Sequence, residues 1–235
     1  MVAFIAGFIG LAWHARTLWS LTGFGDGFSL SIGTTASLIG LQLALIALVA
    51  GMQMTLRGLA GGLLLLAGAA ATLTGLGPPS TGNPALSWQI ELHVLISLFA
   101  YGLLTVGAIV ALFALVQEKR LHAGQLSSIN QLFSPLETTE QMLFGVTAAG
   151  FLLLLLAVSS GFALFDNLFA QHLAHKTVLS LLALLMFGVL LVGRQFAGWR
   201  GKRAVYLYLW GFAILCLAYF GSRYILEEIL GRSWN

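Results

Sequence analysis

WQIELHVLISLFAYGLLTVGAIVALFALVQEKR, residues 88–120, is an apolar segment with polar ends, and it offers a starting point for the whole chain. Residues 94–117 carry no charged side chain. At a rise of ~1.5 Å per residue, a helix of that length crosses a hydrocarbon core of ~30 Å. His93 lies at its start, with Trp88 and Glu91 just before it. The segment therefore predicts a membrane helix with a histidine at its N-terminal end.

The composition extends this prediction to the whole chain. Apolar residues make up 59% of the sequence and charged residues only 8%, whereas about 25% of the residues in a soluble domain are charged. The longest hydrophilic stretch, residues 118–141, is too short for a second domain. We therefore expect residues 1–235 to form a single membrane domain.

Apolar runs divide the chain into about seven predicted transmembrane helices. No alternating pattern of a lipid-facing barrel is present, so the predicted fold class is an all-α, polytopic integral membrane helix bundle. The third run is rich in Gly and Ala, which favours an interior, closely packed helix. Ser134, Pro135 and Glu137 form a helix-start signature leading into the fifth run. The predicted runs are residues 2–19, 32–52, 58–74, 94–117, 142–165, 177–193 and 204–224.

Lysine and arginine in the loops predict the orientation. Seven of them follow the even-numbered runs and four lie on the other side, so the positive-inside rule makes the larger set cytoplasmic. The first cation is Arg16, so the N-terminal run lacks the basic start of a signal peptide and is expected to be retained. The cytoplasmic set is Arg57, Lys119, Arg120, Arg194, Arg200, Lys202 and Arg203.

Several functional classes are disfavoured. The net charge of +3 and pI near 9.3 arise from scattered cations rather than a basic stripe, so we expect no nucleic-acid partner. The single cysteine, Cys216, allows no intramolecular disulfide and no Cys-x-x-Cys-His attachment site. Any haem would be bound non-covalently. No catalytic triad or phosphate loop is visible, so an enzyme is not the leading case.

Four of the five histidines share the predicted outer face: His14, His93, His172 and His175. Such histidines are either interfacial side chains or metal ligands. Haem is favoured over zinc or copper because no acidic or thiolate ligand accompanies them and because aromatic side chains offer flat apolar surface. Those aromatic residues are Trp13, Trp19, Trp88, Phe99 and Tyr101.

Each of the other polar residues near this face has two possible roles. Tyr101 lies two turns from His93 on the same helical side and lines a haem pocket or makes a packing contact. His172 and His175 are adjacent on a helix and act as ligands or as a solvated helix start. Arg223 pairs with Glu227 or binds a haem propionate.

Three stretches resemble the cytochrome c assembly protein family, in the branch typified by inner-membrane YpjD and HemX proteins. They are LHVLISLFAYGLLTVGAIVALFAL at 92–115, HKTVLSLLALLMFGVLLVGRQFAGWRGKRA at 175–204 and LAYFGSRYILEEIL at 217–230. The resemblance implies a polytopic protein of the bacterial inner membrane that handles haem on the outer side. By this resemblance His93 and His14 match outer-face histidines of the family, and cytochrome c maturation or haem-synthesis proteins are the implied partners.

The chain departs from that family at two places. The Trp-rich segment of haem-presenting members is absent, and SGFALFDNLFAQHLAHK stands in its position. Arg194 and Phe196 stand where relatives carry a histidine. The resemblance therefore implies haem binding more strongly than delivery of haem to an apocytochrome. It also implies a further helix before residue 1.

The leading hypothesis is a haem-binding membrane protein, an accessory or regulator in haem handling and cytochrome c biogenesis. It would hold haem b between His14 and His93, with Tyr101 and Arg223 in the pocket and His172 and His175 as further candidate ligands. Two alternatives remain: a transporter of small solutes or metal ions, and a membrane scaffold that organises partner proteins. A transporter is expected to have acidic residues within the membrane, and the apolar runs contain almost none.

Overall fold

A computed structural model describes residues 2–22, 31–53, 56–75, 88–122, 136–164 and 174–221, and within them the chain is helical without a strand. The all-α prediction is confirmed. Leu73–Gly75 forms a 3₁₀ turn and Leu217–Gly221 a π-helical turn. The α-helices are α1 Val2–Thr22, α2 Ile32–Gly51, α3 Arg57–Thr72, α4 Trp88–His122, α5 Leu136–Leu164, α6 Ala174–Ala197 and α7 Gly201–Cys216.

Five helical stretches in the described ranges are long and apolar enough to cross a membrane, with mean hydropathies between 1.8 and 2.3. α3 is apolar but has only 16 residues, a length of about 24 Å at ~1.5 Å per residue. The protein is a multi-pass helical membrane bundle, and each predicted run coincides with a helix. The five stretches are Gly33–Gly51, Trp88–Arg120, Glu137–Leu164, His175–Ala197 and Gly201–Gly221.

Several helices extend beyond their apolar runs. α4 begins at Trp88 rather than residue 94 and ends at His122 rather than residue 117. Inside the membrane each backbone N–H and C=O needs a hydrogen-bond partner, and continuing the helix past the hydrocarbon supplies partners for the buried turns. α5 begins at Leu136 and runs into the fifth span, as predicted, while Ser134 and Pro135 lie outside the described residues.

The bundle has two chemically different ends. The basic end holds Arg194, Arg200, Lys202 and Arg203, and there Lys202 Nζ lies 3.7 Å from Glu118 Oε1. The histidine end holds His14, His93 and His175, and there Thr35 Oγ1 of α2 lies 2.9 Å from the hydroxyl of Tyr219 in the π turn. These three histidines therefore lie at the end opposite the basic cluster, as the alternating topology predicts. The fourth described histidine, His122, is in the last turn of α4.

α4 is the central helix of the described bundle and packs against α2, α5 and α7. Leu104, Val106 and Ala111 are fully buried. The buried hydroxyl of Tyr208 on α7 donates a 2.7 Å hydrogen bond to the Leu104 carbonyl oxygen. The site at the start of α4 is thus attached to a helix that is packed on several sides.

The prediction that the third run is an interior helix is wrong, because one side of α3 is exposed. Its small residues do approach α2 closely: a Cβ at Gly40 would lie 2.8 Å from the Cβ of Ala70. The opposite side exposes three consecutive leucines, Leu64, Leu65 and Leu66. Gly and Ala therefore provide one close-packing face, and the leucine face is placed to contact lipid.

Candidate functional site

His93 lies in the second turn of α4 and is held by α5. Its Nδ1 is 2.8 Å from Ser160 Oγ, and the Ser160 hydroxyl donates a 2.9 Å hydrogen bond to the Ala157 carbonyl oxygen. Because a serine hydroxyl has a single hydrogen, Ser160 accepts from His93. The neutral imidazole therefore carries its proton on Nδ1 and its lone pair on Nε2. This is the tautomer in which Nε2 can coordinate a metal.

Gly161 lets α5 approach the imidazole. A Cβ built at this position would lie only 3.3 Å from His93 Cε1, so a larger side chain would displace the ring. On the other side, Ser97 donates a 2.8 Å hydrogen bond back to the His93 carbonyl oxygen. The side chain and the local helix geometry of His93 are therefore both fixed by neighbours.

His14 makes a different set of contacts. Its Nε2 lies 2.9 Å from Ser37 Oγ on α2, and Thr74 in the 3₁₀ turn donates a 2.8 Å hydrogen bond to the same oxygen. Ser37 is fully buried. These side chains join α1, α2 and the end of α3. Coordination by His14 would use Nδ1 or would require Nε2 to exchange its serine contact for the metal.

The structure brings His14 and His93 to the same end of the bundle but gives them different neighbours. Ser37 of α2 contacts His14, and Ser160 of α5 contacts His93, so these hydrogen bonds do not join the two rings. Within the described ranges, no three His, Cys, Asp or Glu side chains form a group that could hold a metal ion. Axial ligation of haem needs only one or two imidazoles, and the pair remains a prediction.

Tyr101 makes a contact between helices. Its hydroxyl donates a 3.0 Å hydrogen bond to the Leu215 carbonyl oxygen of α7, and its ring centroid lies 5.8 Å from that of Tyr219. Tyr219 also lies under Lys176 Nζ, 5.2 Å from the ring centroid, and its hydroxyl contacts Thr35. Tyr219 therefore connects α2, α4 and α6 at the histidine end.

The remaining predicted site residues are less fully described. His175 lies in the first turn of α6 and is exposed. His172 and Arg223 lie outside the described residues, so their roles stay predictions. The aromatic residues Trp13, Trp19, Trp88 and Phe99 are all exposed on the surface of the bundle, where aromatic rings are typical of the membrane interface.

Sequence reasoning missed Ser160 and Ser37. A signal was present, because Ser160 follows the apolar run LLLLLAV near the C-terminal end of α5. A hydroxyl in such a run needs a hydrogen-bond partner in its own helix or the next. The sequence shows the hydroxyl but not which neighbouring helix supplies its second contact.

Comparison with known proteins gives one family and a few relatives. The sequence model described as "Cytochrome C assembly protein" matches residues 2–230. The chain is 38% identical to Inner membrane protein YpjD of Escherichia coli K12 over 137 residues, covering 58% of this chain and 52% of YpjD. It is 30% identical to an "Uncharacterized 28.8 kDa protein in nifR3-like 5'region" of Azospirillum brasilense over 171 residues, covering 72% of this chain and 63% of that protein. The matches thus span about half to two thirds of these relatives. No solved structure matches the chain.

Proposed function

The chain belongs to the cytochrome c assembly protein family, and from this we propose that it is a haem-binding accessory or regulator in haem handling or cytochrome c biogenesis. The observation that carries the proposal is the 2.8 Å contact between His93 Nδ1 and Ser160 Oγ. Histidines that ligate metals nearly always donate their other ring N–H to an acceptor that orients the ring. The family supports the class of function, and this contact supports His93 as the proposed ligand.

The chemistry of the site suits a non-covalent haem. His93 offers a neutral imidazole with its lone pair on Nε2, whereas the only thiol is Cys216 on α7. Haem held this way would supply a redox-active iron. Ser160 would fix the ring orientation, and Gly161, which has no side chain, would leave room for the ring beside α5. The Lys176 ammonium, beside Tyr219 at the same end, would favour an anionic ligand such as a haem propionate.

The second axial position is assigned to His14, which lies at the same end of the bundle. A bis-histidine haem b would use an imidazole from each of two histidines, so His14 would coordinate through Nδ1 or would exchange its Nε2 contact with Ser37 for the metal. Tyr101 and Arg223 are proposed for the pocket wall and a propionate, and His172 and His175 are proposed as further ligands. Other cytochrome c maturation or haem-synthesis proteins are the proposed partners. A bacterial inner-membrane location is supported by the name of the Escherichia coli relative.

The experiment compares absorption spectra and haem stoichiometry of the purified protein with those of single variants. His93→Ala and His14→Ala are expected to lose or shift the reducible Soret and α bands. The control is His122→Ala, because residue 122 lies in the last turn of α4 at the other end of the bundle. An unchanged spectrum and stoichiometry in both test variants would refute the ligand assignment.

The same preparation distinguishes the alternatives. A colourless protein from haem-replete cells would favour the transporter or the scaffold. Solute or metal uptake into proteoliposomes that depends on His172 or His175, without bound haem, would establish the transporter. A haem spectrum that His93→Ala removes and His122→Ala leaves intact supports the proposal over both.

A further inference from the structure

An apolar groove of about 720 Å³ lies between α5 and α6, reaching the basic end of the bundle. Phe151 of α5 forms one side, Val189 and Val192 of α6 form the other, and Trp199 closes it at the basic end. On α6 the lining runs from residue 181 to residue 197, about 24 Å at ~1.5 Å per residue. This α5–α6 groove is therefore longer than one hydrocarbon leaflet of about 15 Å is deep.

Two glycines of α6 shape the α5–α6 groove. Gly188 faces the Phe151 ring, where a Cβ would lie 3.4 Å from Phe151 Cε2, and its missing side chain leaves the depression between the helices. Gly193 lies directly beneath the Trp199 indole, so that any Cβ there would clash with the ring. The backbone N–H of Trp199 donates a 3.1 Å hydrogen bond to the Gly193 carbonyl oxygen and so holds the residue that closes the groove.

Two arginines contact Trp199 at the basic end of the groove, and a third follows Trp199 in the chain. The Arg203 guanidinium carbon lies 4.1 Å from the Trp199 ring centroid, and Arg194 Nη1 donates a 3.4 Å hydrogen bond to the Trp199 carbonyl oxygen. Arg200, the next residue in the chain, is exposed.

Two acidic residues of this end, Glu140 and Glu118, have other contacts. Glu140 Oε1 accepts a 2.8 Å hydrogen bond from the Gly201 N–H, and Glu118 lies beside Lys202. The rim of the groove is thus rich in arginine beside an apolar channel, and this combination complements a ligand with a negative head and an apolar tail.

We propose that the α5–α6 groove binds an anionic phospholipid, with an acyl chain along the apolar lining and the phosphate at Arg194, Arg200 and Arg203. Basic sites between transmembrane helices are suited to anionic head groups, and the planar guanidinium matches phosphate oxygens in a bidentate manner. Apart from Gly188, Gly193 and Ala197, the lining is Leu, Val, Phe and Trp. The Trp199 indole covers Gly193, whereas close helix association in a membrane favours small residues open to the partner helix. A second copy of the chain would also bring like charges together at this rim.

The charge part is tested by lipid analysis of the protein purified in mild detergent. Native mass spectrometry would measure bound lipid after exchange into phosphatidylglycerol or phosphatidylcholine. We expect preferential retention of phosphatidylglycerol, falling about fivefold for each arginine removed in Arg200→Gln and Arg203→Gln. Arg57→Gln is the matched control, because Arg57 is an exposed cation of the same end on α3, which does not line the groove. Equal retention of both lipids by the wild-type protein would overturn the proposal.

The apolar part is tested by filling the groove. Val192→Trp places an indole in the lining and is expected to release the lipid, while Val178→Trp, on an exposed α6 position outside the groove, is expected to retain it. Size-exclusion profiles and helical circular dichroism check that both variants are folded. Dissociation of a dimer by Val192→Trp without release of lipid would assign the groove to a second copy and contradict the proposal. Loss of lipid in both variants would also contradict it.

Discussion

Ser160→Ala is the variant that separates ligand positioning from ligand identity. The substitution removes the oxygen that lies 2.8 Å from His93 Nδ1 and leaves the imidazole in place. The ring then loses its Ser160 acceptor, while the Ala157 carbonyl oxygen stays nearby. A neutral hydrogen bond contributes about 1 kcal/mol, which corresponds to roughly fivefold in affinity. Loss of the partner of a metal-bound histidine typically costs about 10–100-fold.

We therefore expect Ser160→Ala to bind haem about 5–100-fold more weakly. The assay is the rate of haem transfer from the loaded protein to apomyoglobin, with His93 present in every sample. Ser160→Thr, which keeps the hydroxyl, should restore slow release. Ser159→Ala removes a hydroxyl from the adjacent exposed position of α5 and should behave as wild type. Equal release rates in Ser160→Ala and Ser159→Ala would refute the positioning role.

Two further predictions concern the scaffold that carries the site. Tyr208→Phe removes the hydrogen bond to the Leu104 carbonyl oxygen and should lower the free energy of unfolding in mixed detergent by about 0.5–1.5 kcal/mol. The control Tyr206→Phe, at an exposed position, should change that free energy by less than about 0.5 kcal/mol. Equal losses in the two variants would contradict a stabilising role for the buried hydrogen bond. Gly40→Leu should destabilise the α2–α3 contact by about 1–3 kcal/mol through overpacking, measured as a drop in Tm. The control Gly68→Leu, where a new side chain meets open space, should leave Tm unchanged. A wild-type Tm in Gly40→Leu would contradict the close approach of α2 and α3.

Much of the fold follows from the sequence because the membrane restricts the choices. An apolar run of sufficient length has few alternatives to a helix, so all seven runs coincide with helices. The alternation of loops then assigns His14 and His93 to one end. The helix ends were less predictable, since helix continues into polar residues such as Trp88 and His122. The exposed leucine face of α3 was missed because Gly and Ala content reports close packing but not how many sides are packed.

The site itself was only partly predictable. His93 is visible in the sequence as a polar residue at the mouth of a span, but its partner Ser160 is 67 residues away. No local pattern relates the two, since their contact depends on how α4 packs against α5. Tyr101 shows the converse: its helical spacing from His93 permits a pocket role, while tertiary packing directs its hydroxyl to the Leu215 carbonyl oxygen.

The central claim is that this protein holds haem non-covalently at the histidine end of its bundle. A pyridine-haemochrome spectrum of the wild-type protein, purified from haem-replete cells, tests it most directly. We predict the spectrum of haem b, extractable by acidified organic solvent and present in stoichiometric amount. A colourless preparation, or haem in only trace amount, would contradict the account.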